Sequence, residues 1–118
     1  MQAPSSANPS AANRGSAVVK FSPEGRVLLT LGTPGEMGDP PTHLREPNDV
    51  LVAPDGSIFV GETHGAQFED APGPNSRGRI TKWAPDGTFI MSFGEWGYGD
   101  GQFRAPHSLA MDSQGRLF

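Results

Sequence analysis

At 118 residues the chain holds one domain at most, or a piece of a larger one. Sixteen glycines and twelve prolines, against 35% hydrophobic residues, suit a turn-rich β-protein and not a helical one. The absence of cysteine excludes disulfides and thiolate chemistry, a net charge of −4 argues against nucleic acid as a partner, and no apolar run nears the roughly 20 residues of a membrane helix.

Residues 1–16, "MQAPSSANPSAANRGS", are small, polar and aperiodic, and read as a disordered tail or linker. They lack the basic start and apolar core of a secretory signal. From residue 17 onward, short β-type runs flank four tetrapeptides: "SPEG" at 22–25, "APDG" at 53–56, "APDG" at 84–87 and "DSQG" at 112–115. Three carry proline second, where its fixed φ suits a type I turn, and all end on glycine, which closes a short hairpin in the left-handed conformation. The first hairpin joins "AVVKF" to "RVLLTLG", and the second joins "DVLVA" to "SIFVGE". The third joins "RITKW" to "TFIMSFG", and the last joins "SLAMD" to "RLF".

The hairpins alternate in kind, so the true repeat is twice as long. Val18–Gly32 matches Ile80–Gly94 at an offset of 62, and Pro47–Phe59 matches Pro106–Phe118 at an offset of 59. The first connector, "TPGEMGDPPTHLRE", is three residues longer than "EWGYGDGQFRA", which accounts for the difference. A four-strand unit recurring at this scale predicts an all-β protein built of β-propeller blades, with a β-sandwich as the alternative. On that geometry Trp83, Phe21, Phe59 and Phe93 fill the space between adjacent sheets.

In a propeller the residues just before each innermost strand point towards a shared axis. His107, in "APHSLAMD", and Asn48, in "EPNDVLVA", hold that position. Imidazoles converging from separate blades bind Zn²⁺, whereas a histidine here can equally cap the strand. Asp49 next to Asn48 suits a hard cation such as Ca²⁺, but an aspartate at a strand start more commonly bonds backbone N–H groups, and that reading is preferred. His43 reads as a solvent-exposed connector residue, and neither Arg77 nor Arg79 is singled out.

"VVKFSPEGRVLLTLG", "PNDVLVAPDGSIFVGE" and "RITKWAPDGTFIMSFGEWGYGDGQFRAPHSLAMDSQGRLF" together resemble the NHL-repeat family, and within it the peptidyl-α-hydroxyglycine α-amidating lyases. The likeness covers residues 17–118. It implies a partial six-bladed propeller: half a blade at 17–32, a full blade at 49–94 and half a blade at 108–118. It implies that His107 is one of three histidines on a catalytic zinc, the other two coming from other blades. It also sets His64 where the lyases carry a catalytic tyrosine, in a loop longer than theirs. His64 is then a candidate general base, against the plain reading of a solvated loop histidine.

Two functions follow. One is metal-dependent cleavage of a small polar or peptide-derived substrate, a peptidyl-α-hydroxyglycine for example. The other is a non-catalytic scaffold that binds a protein or ligand partner through loop 61–78. Blades that bury one face against a neighbour need such neighbours, so the remaining blades or further copies of the chain are expected partners. The 118-residue chain alone is therefore predicted to associate or to stay partly molten. Size-exclusion chromatography with thermal denaturation checks this, and a monodisperse monomer melting cooperatively would contradict it.

Overall fold

The computed structural model describes residues 16–62, 78–96, 99–103 and 108–118, and these form strands, turns and connectors without a helix. β1 (Ala17–Phe21) and β2 (Val27–Gly32) make an antiparallel hairpin. β3 (Asp49–Val52), β4 (Ile58–Gly61), β5 (Ile80–Trp83) and β6 (Phe89–Phe93) follow as a four-stranded antiparallel meander in chain order. Two short parallel strands, β7 (Glu95–Trp96) and β8 (Gln102–Phe103), lie within the second connector. In the last segment Ala110 and Phe118 exchange backbone bonds of 2.9 and 2.7 Å, and Met111 bridges Leu117, so residues 110–118 also form a hairpin.

The four tetrapeptides build one turn four times over. In each, the glycine N–H bonds the first residue's carbonyl at 2.9–3.1 Å, and that first residue's N–H bonds the carbonyl four positions on at 2.8–3.0 Å. Gly25, Gly56, Gly87 and Gly115 take φ of 80–93°, the left-handed bulge that follows a type I turn. Side chains reinforce the loop. Asp55 accepts the N–H of Ser57, Asp86 that of Thr88, and Asp112 those of Gln114 and Arg116, each at 2.9 Å. At the first turn the Ser22 hydroxyl accepts the N–H of Arg26 at 3.0 Å. The backbone N–H of Ser57, Thr88 and Arg116, respectively, holds Asp55, Asp86 and Asp112 below the ordinary carboxylate value of 3.8. Stability from these contacts is present above that value and is lost as pH falls through the lowered one.

Strand alternation splits the four-stranded sheet into two apolar faces. Ile58, Val60 and Trp83 face the first hairpin and pack with Leu31 and Leu44, joined at the margin by Val18, Leu29 and Phe89. Trp83 meets Phe89 edge-on, ring centroids 5.2 Å apart. The opposite face presents Phe59 and Ile80, with Leu51 and Phe93, to Leu109, Met111 and Leu117 of the last hairpin and to Phe103. Three layers of sheet thus stack face to face, as the blade reading predicts.

The expected placement of Phe21 is corrected. It matches Trp83 across the repeat, yet Trp83 is 1% exposed and Phe21 58%. Both point to the N-terminal side of their own hairpin. Trp83 meets β1–β2 there, and no described residue covers Phe21.

The turn-closing glycines separate two effects. An alanine Cβ at Gly25 meets nothing within 4 Å, whereas one at Gly56 would lie 2.8 Å from Cγ of Pro85, in the rigid ring of the neighbouring turn. Gly25→Ala should cost about 1 kcal/mol for the left-handed backbone alone. Gly56→Ala should cost measurably more, read as a larger drop in the urea midpoint.

Candidate functional site

The antiparallel register brings the start of β3, the end of β4 and the start of β5 to one end of the sheet, through Asp49↔Gly61 and Gly61↔Ile80. This end, away from the four turns, gathers Asn48, Asp49, Glu62 and Arg79. Glu62 and Arg79 bracket the chain between β4 and β5, and the N–H of Glu62 bonds the carbonyl of Arg79 at 3.0 Å.

A buried carboxylate organises the cluster. The Glu62 side chain is fully buried and accepts three bonds: from Nη2 of Arg79 at 2.9 Å, the N–H of Arg45 at 2.7 Å and the Thr81 hydroxyl at 2.8 Å. Thr81 in turn accepts the Trp83 indole N–H at 2.9 Å. On the other side, Nη1 of Arg79 donates to Asp39 at 2.7 Å and Nη2 to the carbonyl of Gly38 at 3.1 Å, while Nε of Arg45 reaches Asp39 at 3.4 Å. An ion pair taken out of water is tolerated only when its remaining donors and acceptors are met, and here nearly all are. The exception is Nε of Arg79, buried without a partner among the described residues. Burial works against the Arg79 charge, but hydrogen bonds to Glu62 and Asp39 outweigh it and raise its pKa. The bond from Arg79 chiefly holds Asp39 below 3.8.

The network staples the connector 33–48 onto the sheet. The Glu62 carboxylate, fully buried and bonded to three donors, has no face open to solvent. Sequence reasoning passed over both members of this pair. The available signal was a carboxylate and a guanidinium at the facing ends of two short strands, IFVG and ITKW, the first of them apolar throughout, where a lone charge would not be stable.

Asp49 behaves as preferred above. Its Oδ2 accepts the N–H of Leu109 at 2.6 Å, tying the start of one inner strand to the next. Asn48 bonds Gly61 through its backbone N–H at 2.9 Å, while its side-chain Nδ2 and Oδ1 are buried with no hydrogen-bond partner among the described residues. His43 is not the exposed residue expected. Its side chain is 27% accessible, with Nδ1 2.7 Å from the Thr42 hydroxyl and Nε2 3.3 Å from Glu36. His64, Arg77 and His107 lie outside the described residues.

As to a metal, no group of three His, Asp or Glu side chains converges among the described residues. Of the groups at this end, Asp49 and Glu62 are engaged in internal bonds and Asn48 offers an amide oxygen, a poor match for Zn²⁺. The described residues by themselves do not fit zinc. No helix among them is long and apolar enough to cross a membrane.

The buried pair has a testable consequence. Glu62→Leu leaves Arg79 with Asp39 as its remaining carboxylate, strips the acceptor from the Arg45 N–H and the Thr81 hydroxyl, and should cost roughly 3 kcal/mol. Glu62→Leu with Arg79→Met removes both charges and should recover much of that loss, measured as urea midpoints.

No family model matches the chain. Among curated proteins it is 32% identical over 106 residues to human NHL repeat-containing protein 3, covering 88% of this chain and 28% of that protein. It is 38% identical over 96 residues to peptidyl-glycine alpha-amidating monooxygenase B of Xenopus laevis, 76% of this chain and 10% of that one. The mouse peptidyl-glycine alpha-amidating monooxygenase is 35% identical over 89 residues, 71% and 8% respectively. The chain thus spans under a third of the length of each relative.

Proposed function

Since the chain is an NHL-type β-propeller chain, homologous to those proteins over most of its own length, we propose that the complete propeller acts as a peptidylamidoglycolate lyase. Its substrate is a peptidyl-α-hydroxyglycine or a similar carbinolamide, bound at the end of the blades where Asn48 and Asp49 stand. The bond from Leu109 to Asp49 carries this reading, because it fixes the backbone two residues after His107 at that end of the sheet.

The reaction needs the substrate hydroxyl to lose its proton, the carbon–nitrogen bond to break as the carbonyl forms, and the amide nitrogen to take up a proton. His64 is assigned the first transfer as a neutral imidazole. His107 is assigned as one zinc ligand, with the others from further blades. Zinc would supply Lewis acidity at the substrate oxygen. The described residues contribute positioning: Asp49 anchors the backbone after His107, and the Glu62–Arg79 pair holds both ends of the loop that carries His64.

One observation favours a second reading, a non-catalytic binding scaffold. Glu62, Arg79 and Asp49 are all committed to internal bonds, and the Asn48 amide, without a partner among the described residues, is buried. Glyoxylate release from a peptidyl-α-hydroxyglycine, measured with zinc content on the full-length protein, separates the two. The lyase reading expects His107→Ala to lose zinc and at least 100-fold in rate, and His64→Ala to lose about 100- to 10,000-fold in rate with zinc retained. Equal zinc in wild type and His107→Ala, or no glyoxylate from wild type, would leave the scaffold.

A further inference from the structure

The charged residues are not shared evenly between the two ends of the stacked sheets. Three segments leave and re-enter the sheets at the end opposite the turns: 33–48, 62–79 and 94–107. Together they hold eight of the thirteen carboxylates but four of the nine lysines and arginines, so they carry the whole net charge of −4. The rest of the chain is neutral in sum, with five charges of each sign.

Burial widens the imbalance. The described arginines of this end are turned inward, Arg79 with 9% and Arg45 with 16% of the side chain accessible, and both are committed to the internal network. The carboxylates face out. Glu36 is 68% accessible at the side chain and Asp39 56%, and Glu95 and Asp100 of the second connector are exposed. At the turn end the acids stand among exposed cations, Arg26 and Arg116.

We propose that this rim receives a peptide segment bearing lysine or arginine. No three His, Asp or Glu side chains converge among the described residues, so the acids do not suit a metal ion, which needs convergent ligands. Spaced carboxylates suit positive charges that are themselves spaced along a chain. At physiological salt a single charge is screened within about 8 Å, whereas a row of acids keeps an attractive field along the whole rim. Met37, 48% exposed between Glu36 and Asp39, gives the methylene stems of lysine and arginine an apolar surface to lie on. The buried side-chain atoms without a partner among the described residues, those of the Asn48 amide and Nε of Arg79, belong to this end as well. Polar groups left unmet inside a fold mark a place with a role beyond packing. The inference rests on where the three segments stand and not on lyase chemistry, so the absence of zinc or glyoxylate leaves it standing. Glyoxylate release distinguishes a peptide that is turned over from one that is only held.

The test is fluorescence anisotropy on the full-length protein with two labelled peptides, one alternating lysine with serine and one of serine alone. At low salt the lysine peptide should bind about tenfold or more tightly than the serine peptide, and the margin should shrink as salt is raised. Glu36→Lys with Asp100→Lys, both at exposed positions, should remove most of that margin. Glu24→Lys with Ser113→Lys and Gln114→Lys changes the net charge equally, but at exposed positions of the turn end, and should leave the margin within about twofold. Equal binding of the two peptides, a margin indifferent to salt, or the same loss from both sets of substitutions would overturn the proposal.

Discussion

Sheet-on-sheet packing is the constraint from which everything else in this chain follows. A four-stranded antiparallel meander with apolar side chains on both faces cannot bury either one by itself. Here one face meets the β1–β2 hairpin through Trp83, Val60 and Ile58, and the other meets the last hairpin through Phe59 and Ile80. Each layer is polarised, showing one face to the layer before and the other to the layer after. That directionality sets the common orientation of the inner strands, so that Asn48 and Asp49 come to the same end of the sheet as the strand following His107.

The Glu62–Arg79 pair sits where this packing ends and the connectors begin. Apolar strands cannot specify how a long polar segment lies across their ends, whereas a buried carboxylate with three fixed donors does. Through Asp39, Gly38 and Arg45 the pair dictates the course of residues 38–45, and Leu44, pinned beside it, becomes fully buried in the first core cluster. A buried ion pair thereby directs a hydrophobic side chain into place. Stability and architecture meet at that single contact.

What the sequence revealed and what it hid divide along the range of the interactions involved. The four turns were legible because type I geometry, a left-handed glycine and a side-chain oxygen returning to the backbone, a carboxylate in three of them and the Ser22 hydroxyl in the first, are all settled within five residues. Strand order followed from the repeat, since equal spacing of equal hairpins leaves few arrangements. The ion pair was not legible, because its partners stand 17 residues apart and its third member, Asp39, a further 23 back. Phe21 was misread for a related reason: its strand resembles that of Trp83 locally, but burial depends on a neighbouring layer and not on the strand. The half-buried His43 owes its surroundings to the fold of the connector, with Thr42 and Glu36 brought to its ring by a loop whose course no periodicity encodes. The short parallel pair β7–β8 was invisible because two-residue strands carry no pattern.

The two ends of the stacked sheets differ in how much slack they hold. At one, every reversal is closed in four residues, and the turns at 53–56 and 84–87 press together through Gly56 and Pro85, so an added residue has nowhere to go. At the other, the two connectors already differ by three residues between otherwise matching units. Divergence in length, and with it the acquisition of new recognition surfaces, is channelled to a single rim, while the opposite rim acts as an inextensible hem that keeps the layers in step.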